Sequence, residues 1–324
     1  MSIKEQVLNM LEAGKGAPVS GEAIASALGC SRTAVWKAIT ELKEAGYPIQ
    51  AATRRGYLLA ETSDILSAAG IRASLGEAAA GLTIEVFPSI DSTNAEARRR
   101  VAAAASASEI PFATILIAEE QTAGRGRRSK SFFSPAAGSL YVSFVLRPLG
   151  DTARTRMVTM AAAVAVCEAM AAFGAGVPEI KWVNDIYMEG KKVCGILTEA
   201  ISDVESGGIE AIILGIGVNV NVPAEAFPAE LRRAAGSITL AAGQRNAFAA
   251  ALIRRVLARY AMPAADVVEA YRARSMMMGR QISVSEAGEE RRAEVMGIGD
   301  DGSLLVRYAD GGEAALLSVE ITLL

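Results

Sequence analysis

The first sixty residues contain three short amphipathic segments, and their pattern constrains the fold more than any other feature of the chain. Apolar residues recur at helical spacing, first at Ile3, Val7, Leu8 and Leu11, then at Ile24 and Leu28, then at Val35, Ile39 and Leu42. Ser20 and Ser31 are typical caps at the start of a helix. Gly14, Gly29 and Gly46 follow the three segments and are placed to end them. Three helices with a tight turn after the second predict a helix-turn-helix.

A basic β-hairpin, or wing, is predicted after the third helix, from residues 48–50 and 57–59 around a tip at residues 54–56. If the third helix enters the major groove of DNA, this helix and the wing supply the contacts. The candidate DNA-binding residues are Arg32, Thr33, Lys37, Thr40, Arg54 and Arg55. Trp36 is expected to pack rather than to contact bases. Seven Lys/Arg and five Glu give residues 1–60 a charge of only +2, so a protein-interaction module is the alternative.

The composition excludes several classes of protein and of chemistry. Apolar residues make up 51% and charged residues 21% of the chain, which supports packed cores and excludes a disordered protein. The chain has no histidine, so Ser-His-Asp catalysis and histidine-bound metals are excluded. Cys30, Cys167 and Cys194 are widely spaced and favour reduced, buried side chains over disulfides. We expect neither zinc nor haem.

The sequence predicts a cytoplasmic protein that makes no membrane contact. Its amino-terminal residues carry charges within their apolar pattern and do not form a signal peptide. The longest apolar stretch, Met157 to Phe173, contains Glu168 and is short for a membrane span. A buried helix is the better interpretation of this stretch.

Strands and helices are mixed between residues 82 and 220. Strands are predicted at 82–87, 115–118, 139–146, 180–188, 192–197 and 209–216. The segment Asp91-Ser92-Thr93-Asn94 opens a helix, and Thr93 and Glu96 have the spacing of a capping box. Several hairpins among the strands favour an α+β fold around a largely antiparallel sheet over a doubly wound fold.

Residues 124–128, with the sequence Gly-Arg-Gly-Arg-Arg, carry the most chemical information in this region. The glycines allow the backbone to approach a ligand, and three arginines can neutralise a phosphate or a carboxylate. The segment matches neither a P-loop nor a dinucleotide-binding fingerprint. Composition alone leaves an RNA-binding loop or a solvated loop open as well.

Glu189-Gly190 is a two-residue hairpin signal between two predicted strands. This turn pairs Tyr187 with Lys192 and Asp185 with Cys194, which makes Asp185 and Lys192 diagonal neighbours roughly 7–8 Å apart. A phosphate bound to Mg²⁺ fits between a carboxylate and an ammonium at that separation. The alternative is an exposed ion pair without function.

The last fifty residues read as four short strands, at 281–285, 292–297, 303–308 and 313–317. Turns are predicted at Gly288, at 300–302 and at 310–312. This spacing predicts a small β-barrel. We therefore expect three domains, with boundaries at 1–62, 63–272 and 273–324.

An ordered set of motifs resembles the biotin–protein ligases. The motifs are residues 91–94 (Asp-Ser-Thr-Asn), 121–128 (Gln-Thr-Ala-Gly-Arg-Gly-Arg-Arg), 133–135 (Phe-Ser-Pro), 181–185 (Lys-Trp-Val-Asn-Asp), 192–196 (Lys-Val-Cys-Gly-Ile) and 215–219 (Gly-Ile-Gly-Val-Asn). With the winged helix in front, the whole chain resembles the group of these ligases that also represses the biotin operon. The resemblance implies a central domain like that of class II synthetases and an SH3-like carboxyl-terminal barrel.

The resemblance also implies roles for individual residues. The biotin-binding set is Ser92, Thr93, Asn94, Gln121, Arg125, Gly126, Arg127, Lys192 and Gly195. The set for ATP and its metal is Arg127, Arg128, Asn184, Asp185 and Asn219. Lys192, Arg125 and Asp185 are the candidate catalytic residues. The chain departs from the family pattern at Val183, where proline is usual, and at Phe132, where tryptophan is usual.

The implied reaction uses biotin, ATP and Mg²⁺ to form biotinyl-5′-AMP and then transfers biotin to a lysine of a biotin carboxyl carrier domain. The adenylate is also the expected corepressor, which promotes a homodimer on operator DNA. Two other functions are open. The first is a ligand-sensing repressor without catalysis, and the second is a lipoate–protein ligase. The arginine-rich segment and the amino-terminal winged helix both argue against the second.

Overall fold

The computed structural model describes residues 1–52, 55–104, 109–136, 138–149, 152–202, 208–286 and 289–324. Its α-helices are α1 Ile3–Ala13, α2 Gly21–Leu28, α3 Arg32–Glu44, α4 Ala68–Leu75, α5 Thr93–Ala103, α6 Thr152–Ala172, α7 Arg245–Tyr260 and α8 Ala264–Arg272. Its strands are β1 Ile49–Ala52, β2 Gly56–Leu59, β3 Thr83–Phe87, β4 Thr114–Ala118, β5 Leu140–Leu146, β6 Glu179–Lys181, β7 Asp185–Met188, β8 Lys191–Ser202, β9 Ile209–Val218, β10 Gln281–Glu286, β11 Glu289–Ile298, β12 Leu304–Tyr308, β13 Glu313–Leu316 and β14 Glu320–Leu323.

These elements form two compact units. The first unit comprises Met1–Gly81 and Leu240–Arg254, and the second comprises Leu82–Thr239 and Arg255–Leu324. The first contains the predicted winged helix, and the second contains the central strands and the carboxyl-terminal strands.

The first unit begins with the predicted helix-turn-helix and wing. Ser20 and Ser31 cap α2 and α3 through their hydroxyl oxygens, and Gly29 ends α2 in the left-handed conformation, as expected. β1 and β2 form an antiparallel hairpin. At Gly56, φ is +105° and a Cβ would lie 2.0 Å from the carbonyl oxygen of Val19, so glycine is required where the second strand starts.

A buried polar cluster joins α1, α4 and the start of α7 within this unit. The Ser67 hydroxyl donates to a carboxylate oxygen of Glu12 at 3.4 Å, and the Ser67 amide donates to Asn246 at 3.0 Å. Burial raises the pKa of Glu12 above its ordinary value. Gly70 allows this close approach, because a Cβ there would lie 2.7 Å from the Asn246 amide. Our sequence interpretation did not identify α4 or α7.

The second unit is built on a seven-stranded sheet with the order β3-β4-β5-β9-β8-β7-β6. β3 and β4 are parallel, whereas the other described pairs of neighbours are antiparallel, which confirms the predicted α+β class. The predicted strand at 180–188 is wrong in one respect: residues 182–184 form a turn between β6 and β7. Trp182 is buried in that turn and donates its indole N–H to the carbonyl of Gly302 at 3.1 Å.

α5 and α6 lie on opposite faces of this sheet. Glu199 of β8 bonds to Asn94 of α5, whereas the adjacent Thr198 bonds to Thr159 of α6. Successive residues of a strand point to opposite faces, so the two helices cover the two sides. The residues of α6 from Met160 to Cys167 are buried, as predicted. Among the described residues, no helix has both the length and the apolar character needed to cross a bilayer.

The carboxyl-terminal strands form a five-stranded antiparallel sheet with the order β13-β12-β11-β10-β14. The four predicted strands are present, and the structure adds β14, which pairs with β10. The turns at 300–302 and 310–312 lie where expected, while Gly288 lies outside the described residues. β12 alternates buried and exposed residues, so this sheet buries one face in a core.

Candidate active site

A cavity that is partly open to solvent, with about 490 Å³ of empty space when its open mouth is included, lies on the α5 face of the seven-stranded sheet. Much of the predicted site lines it: Ser92, Thr93, Asn94, Gln121, Arg125, Gly126, Arg127, Asn184, Lys192 and Gly195. Arg128, Asp185 and Asn219 are not among the lining residues. The sequence motifs, which extend from residues 92–94 to residues 215–217, therefore meet at one place in the fold.

The first turn of α5 supplies one wall of the cavity. Ser92 is the N-cap, and its hydroxyl oxygen accepts from the Ala95 amide at 3.4 Å. The predicted capping box at Thr93 is therefore wrong by one residue, and Glu96 instead bonds to Arg99 and Arg100. This shift points the buried side chains of Thr93 and Asn94 at the sheet.

Gln121 is oriented by hydrogen bonds on both sides of its amide. Its Oε1 accepts from the amide and the hydroxyl of Thr93, at 2.9 and 3.1 Å. Its Nε2 donates to the Ser134 hydroxyl at 3.1 Å. The donor and acceptor ends of this side chain are thus fixed before a ligand arrives.

Two residues that our sequence interpretation missed complete this wall. The Ser143 hydroxyl of β5 lies 2.6 Å from Asn94 Oδ1 and 2.7 Å from Thr93 Oγ1. Glu199 of β8 accepts from Asn94 Nδ2 at 2.8 Å. A serine within an apolar strand and a carboxylate on a central strand are the signals that could have identified them. We call Thr93, Asn94, Gln121, Ser143 and Glu199 the polar wall.

A β-bulge decides where Lys192 points. Tyr187 pairs with Lys192 as predicted, but Asp185 pairs with Gly195 rather than with Cys194, because Val193 is an extra residue in β8. Without this bulge, Lys192 would share a face with Cys194, opposite to the cavity.

The carboxylate of Asp185 and the ammonium of Lys192, predicted as diagonal neighbours, are in contact. Lys192 Nζ lies 2.7 Å from Asp185 Oδ1, so the two residues form a direct ion pair. The two charged groups therefore leave no space between them for the Mg²⁺-bound phosphate that the sequence predicts there.

Three glycines form the floor of the cavity. A Cβ on Gly215 would lie 2.2 Å from Asn94 Oδ1, and a Cβ on Gly217 would lie 2.6 Å from the ring of Phe132. At Gly195 a Cβ would meet the same ring at 2.9 Å. Phe132 also packs edge-on against Tyr141, with ring centroids 6.4 Å apart. The departure at position 132 therefore keeps an aromatic ring at the cavity.

The segment 122–130, which we call the arginine loop, covers one side of the cavity. Arg125 and Arg127 line the cavity, and Arg127 donates to Asn184 Oδ1 at 3.0 Å. Burial lowers the pKa of Arg127 below its ordinary value, because the charged form loses hydration. With Lys192, these side chains bring three cations to the cavity. They favour an anionic ligand because the nearby Glu199 carboxylate is paired with Arg98 and, among the described residues, only Asp185 pairs with one of the three.

Asn184, which lines the cavity, and Asn219, which does not, are both held by hydrogen bonds to backbone carbonyls. Asn184 donates to the carbonyl of Ile196 at 3.0 Å and to Asp185 at 3.1 Å. Asn219 is buried and donates to the carbonyl of Gly236 at 2.8 Å. Among the described residues, no group of three acidic, histidine or cysteine side chains could hold a metal ion.

The candidate DNA-binding face belongs to the first unit. Arg32, Thr33 and Lys37 are exposed on α3, and Arg55 is exposed in the wing. Thr40 is half-buried, and its hydroxyl donates to the carbonyl of Trp36. Arg54 lies outside the described residues. The expectation that Trp36 packs is wrong, because its side chain is 57% exposed on the same helix.

Two family models match the chain. The model of the biotin/lipoate A/B protein ligase family matches residues 86–219, and a helix-turn-helix (HTH) domain matches residues 4–58. The first match contains most of the cavity, and the second coincides with the winged helix.

Similar proteins of known sequence and structure extend these matches. The bifunctional ligase/repressor BirA of Bacillus subtilis is 36% identical over 244 residues, covering 75% of this chain and 73% of the relative. BirA of Escherichia coli is 31% identical over 321 residues, covering 93% and 94%. A biotin protein ligase from Aquifex aeolicus, solved with biotin and ATP, shares the fold over 75% of this chain and 98% of its own, with a TM-score of 0.60 and 24% identity. The chain therefore belongs to the BirA family of bifunctional ligase/repressors.

Proposed function

We propose that the cavity binds biotin and ATP, joins them as biotinyl-5′-AMP, and transfers biotin to a lysine of a carrier domain. The chain is a biotin–protein ligase with a helix-turn-helix repressor module. The observation that carries the site assignment is the convergence of a hydrogen-bonded polar wall with three cations in one cavity. Biotin has a neutral, polar cyclic urea at one end and a negatively charged carboxylate at the other, and binding both ends needs these two kinds of surface.

The polar wall is suited to the cyclic urea of biotin. Thr93, Asn94 and Gln121, with Ser92 beside them, offer donors and acceptors whose directions are fixed by neighbouring hydrogen bonds. The glycine floor at Gly195 and Gly217 admits the Phe132 ring, which offers an apolar surface to the bicyclic ring of biotin. In this arrangement the carboxylate of biotin extends towards Lys192 and the arginine loop.

Activation of the carboxylate requires charge neutralisation more than a nucleophilic side chain. The biotin carboxylate attacks the α-phosphate of ATP, the bond from the α-phosphate to the leaving pyrophosphate breaks, and the mixed anhydride remains. Arg125, Arg127 and Lys192 stabilise the negative charge on the phosphoryl group in the transition state. A chain without histidine can perform this chemistry.

The residues present fit a Mg²⁺ ion that is carried mainly by the nucleotide. Mg²⁺ commonly uses one or two carboxylates together with substrate phosphates, and Asp185 with Asn184 supplies such a set beside the cavity. The ion would neutralise phosphate charge when bound. We include Arg128 and Asn219 in the proposed nucleotide region because they lie next to Arg127 and at the end of β9.

In the second step the ε-amine of the acceptor lysine attacks the carbonyl carbon of the anhydride and AMP leaves. The attacking amine must lose a proton, and we propose Asp185 as the group that accepts it. We place Lys192 next to the developing negative charge. The Asp185 carboxylate is 2.7 Å from the Lys192 ammonium, so Asp185 also lies near the reacting atoms.

The first unit supports a role in transcription. We propose that α3 presents Arg32, Thr33, Lys37 and Thr40 to the major groove while Arg54 and Arg55 of the wing contact phosphates. A single module with a charge of +2 makes few phosphate contacts, so we propose that two chains bind a paired operator when the adenylate is present. The proposed functional modules are residues 1–62, 63–272 and 273–324, the last being an SH3-like barrel.

The ligase function is tested by pyrophosphate release. Purified protein with biotin and ATP should release pyrophosphate and label a biotin carboxyl carrier domain, whereas lipoate in place of biotin should give little of either. Binding of biotin without pyrophosphate release would favour a sensing repressor that has lost catalysis. A preference for lipoate would replace the proposal with a lipoate ligase.

The repressor function is tested with a pool of random 40-base-pair duplexes. The full chain with biotin and ATP should select duplexes with two related half-sites, and sedimentation should show a dimer. A chain that lacks residues 1–62 should select none and should still label the carrier domain. Equal DNA affinity with and without ATP would contradict control by the adenylate.

A further inference from the structure

The arginine loop is bonded to the carboxyl-terminal sheet as well as to the cavity. Arg128 Nη2 donates to the carbonyl oxygen of Ser318 at 3.1 Å, and Arg128 Nη1 lies 3.4 Å from Glu320 Oε2. The Lys130 ammonium bonds to the other carboxylate oxygen of Glu320. One carboxylate at the start of β14 therefore binds two cations of the loop.

The cations of this loop face in two directions. Arg125 and Arg127 line the cavity, whereas Arg128 and Lys130 reach Glu320. The change of direction occurs at Arg128, whose φ of +54° and ψ of +43° are left-handed values that an arginine rarely adopts. Such a conformation persists where surrounding contacts hold it. Here the Arg128 side chain contacts Ser318 and Glu320, and the Lys130 amide donates to the Arg127 carbonyl at 3.2 Å.

The backbone of the loop links its tip to the ligand side. The Gly126 amide donates to the carbonyl of Lys130 at 2.7 Å, and the Phe132 amide donates to the carbonyl of Gly124 at 2.9 Å. Arg125 also forms a β-bridge with Ser131. Because these bonds join the two sides of the loop, a restraint at Arg128 and Lys130 also restrains Arg125.

We propose that Glu320 is a positioning residue that holds the arginine loop closed over the cavity and thereby slows release of the biotinyl adenylate. This proposal rests on the ligase function proposed above. Glu320 is not among the residues that line the cavity, so it acts through Arg128 and Lys130 rather than on the ligand. It gives the carboxyl-terminal sheet a role in retaining the intermediate.

The ion pairs are exposed, and this determines their effect. The Glu320 side chain is 42% exposed, and those of Arg128 and Lys130 are 45% and 66% exposed. Exposed pairs contribute little to global stability and weaken in salt. Replacement of Glu320 should therefore leave the fold intact and hold the arginine loop less firmly. It should also remove part of the salt dependence of adenylate release. The two cations also hold the pKa of Glu320 below its ordinary value.

The test uses Glu320→Gln and a matched control, Glu313→Gln. Glu313 lies in the same sheet and pairs with Arg307, not with the loop. Each protein is loaded with radiolabelled biotin and ATP and chased with unlabelled biotin. We expect the labelled adenylate to leave Glu320→Gln about fivefold faster than the wild type, with an unchanged melting temperature. The control should match the wild type.

Two further measurements separate loss of the contact between Glu320 and the arginine loop from a general structural effect of the substitution. Raising NaCl from about 0.05 M to about 0.5 M should speed release from the wild type more than from Glu320→Gln. Amide exchange at residues 122–130 in the ligand-free protein should be faster in Glu320→Gln than in Glu313→Gln. Release rates, salt responses or loop exchange that are equal in the two variants would overturn the proposal.

The outcome also distinguishes an error in the positioning role of Glu320 from an error in the proposed ligase function. If the wild type forms no adenylate, the ligase proposal fails, and amide exchange still tests the contact between Glu320 and the loop. If adenylate forms and is released at equal rates from all three proteins, the ligase stands and the positioning role of Glu320 is wrong.

Discussion

The polar wall and the arginine loop border the same cavity, and they are built in opposite ways. The wall consists of buried and half-buried side chains that bond to each other, with Thr93, Asn94 and Ser143 buried within secondary structure. The loop consists of exposed or half-buried cations held by ion pairs and a few backbone bonds. A rigid wall selects the ligand by its hydrogen-bonding groups, whereas a weakly held charged loop closes and opens. We infer that recognition and retention are divided between these two regions.

Loss of Lys192 should produce the largest effect, because this residue serves the chemistry that both regions support. Lys192→Gln should lower the rate of adenylate formation by about 10²–10³-fold, since one donor to the transition-state charge is removed. The free energy of unfolding should change little, because the ion pair with Asp185 is partly exposed. Pyrophosphate release under saturating biotin and ATP measures the effect.

The control for this variant is Lys191→Gln, which alters the neighbouring exposed lysine on the same strand. It should retain the wild-type rate. A Lys192→Gln enzyme within a few-fold of the wild type would show that this lysine has no catalytic role.

A change in the glycine floor should damage the wall. Gly215→Ala places a methyl group 2.2 Å from Asn94 Oδ1, so the wall must shift. We expect a loss of about 1–3 kcal/mol in the free energy of unfolding and biotin affinity at least about tenfold lower. Calorimetric titration and denaturant unfolding measure the two effects. Gly297→Ala is the control, because its methyl group meets only Leu305 at 3.9 Å, and it should bind biotin normally.

Arg125→Ala should alter retention more than recognition. The Arg125 side chain lines the cavity from the loop and takes no part in the hydrogen bonds of the polar wall described above. We expect adenylate release to be about tenfold faster, with biotin association nearly unchanged, because one charge-assisted contact is lost. Released adenylate should then label lysines of bystander proteins such as albumin. Arg292→Ala, in an exposed position of β11, should release no more adenylate than the wild type.

The smallest effect is the loss of folding stability expected when Asp91 is protonated at low pH. Arg99 binds the Asp91 carboxylate through two hydrogen bonds and lowers its pKa to about 2. A folded-state pKa below the ordinary value of 3.8 means that this contribution is present above pH 3.8 and is lost as pH falls towards 2. Since Asp91 also accepts from the Ser92 amide, it anchors the segment that begins the wall.

Denaturant unfolding at several pH values between 2 and 5 should therefore show a weaker pH dependence in Asp91→Asn than in the wild type. Identical slopes in the two proteins would mean that Asp91 does not anchor this segment.

Local signals in the sequence predicted much of this architecture. Ser20, Ser31 and Gly29 marked the ends of α2 and α3 because caps depend on neighbouring residues only. Glu189 and Gly190 both adopt positive φ, as the predicted two-residue turn requires. The ordered motifs also identified most residues of the cavity.

Features that depend on distant parts of the chain could not be predicted in this way. The bulge at Val193 turns Lys192 towards the cavity, and nothing in the local sequence marks the extra residue. Ser143 and Glu199 belong to the wall only because β5 and β8 lie beside α5 in space. The bonds from Glu320 to Lys130 and Arg128 of the arginine loop join residues 190 and 192 positions apart in the sequence.

The division between recognition and retention is tested most directly by stopped-flow measurement of biotin association together with adenylate release, in Ser143→Ala and Arg125→Ala. We expect Ser143→Ala to weaken biotin binding by about tenfold, because Asn94 and Thr93 lose a buried partner, and to change adenylate release less than Arg125→Ala does. Arg125→Ala should instead speed adenylate release by about tenfold and leave biotin association nearly unchanged. If both variants changed both quantities by the same factor, the wall and the loop would act as one unit and the account would be contradicted.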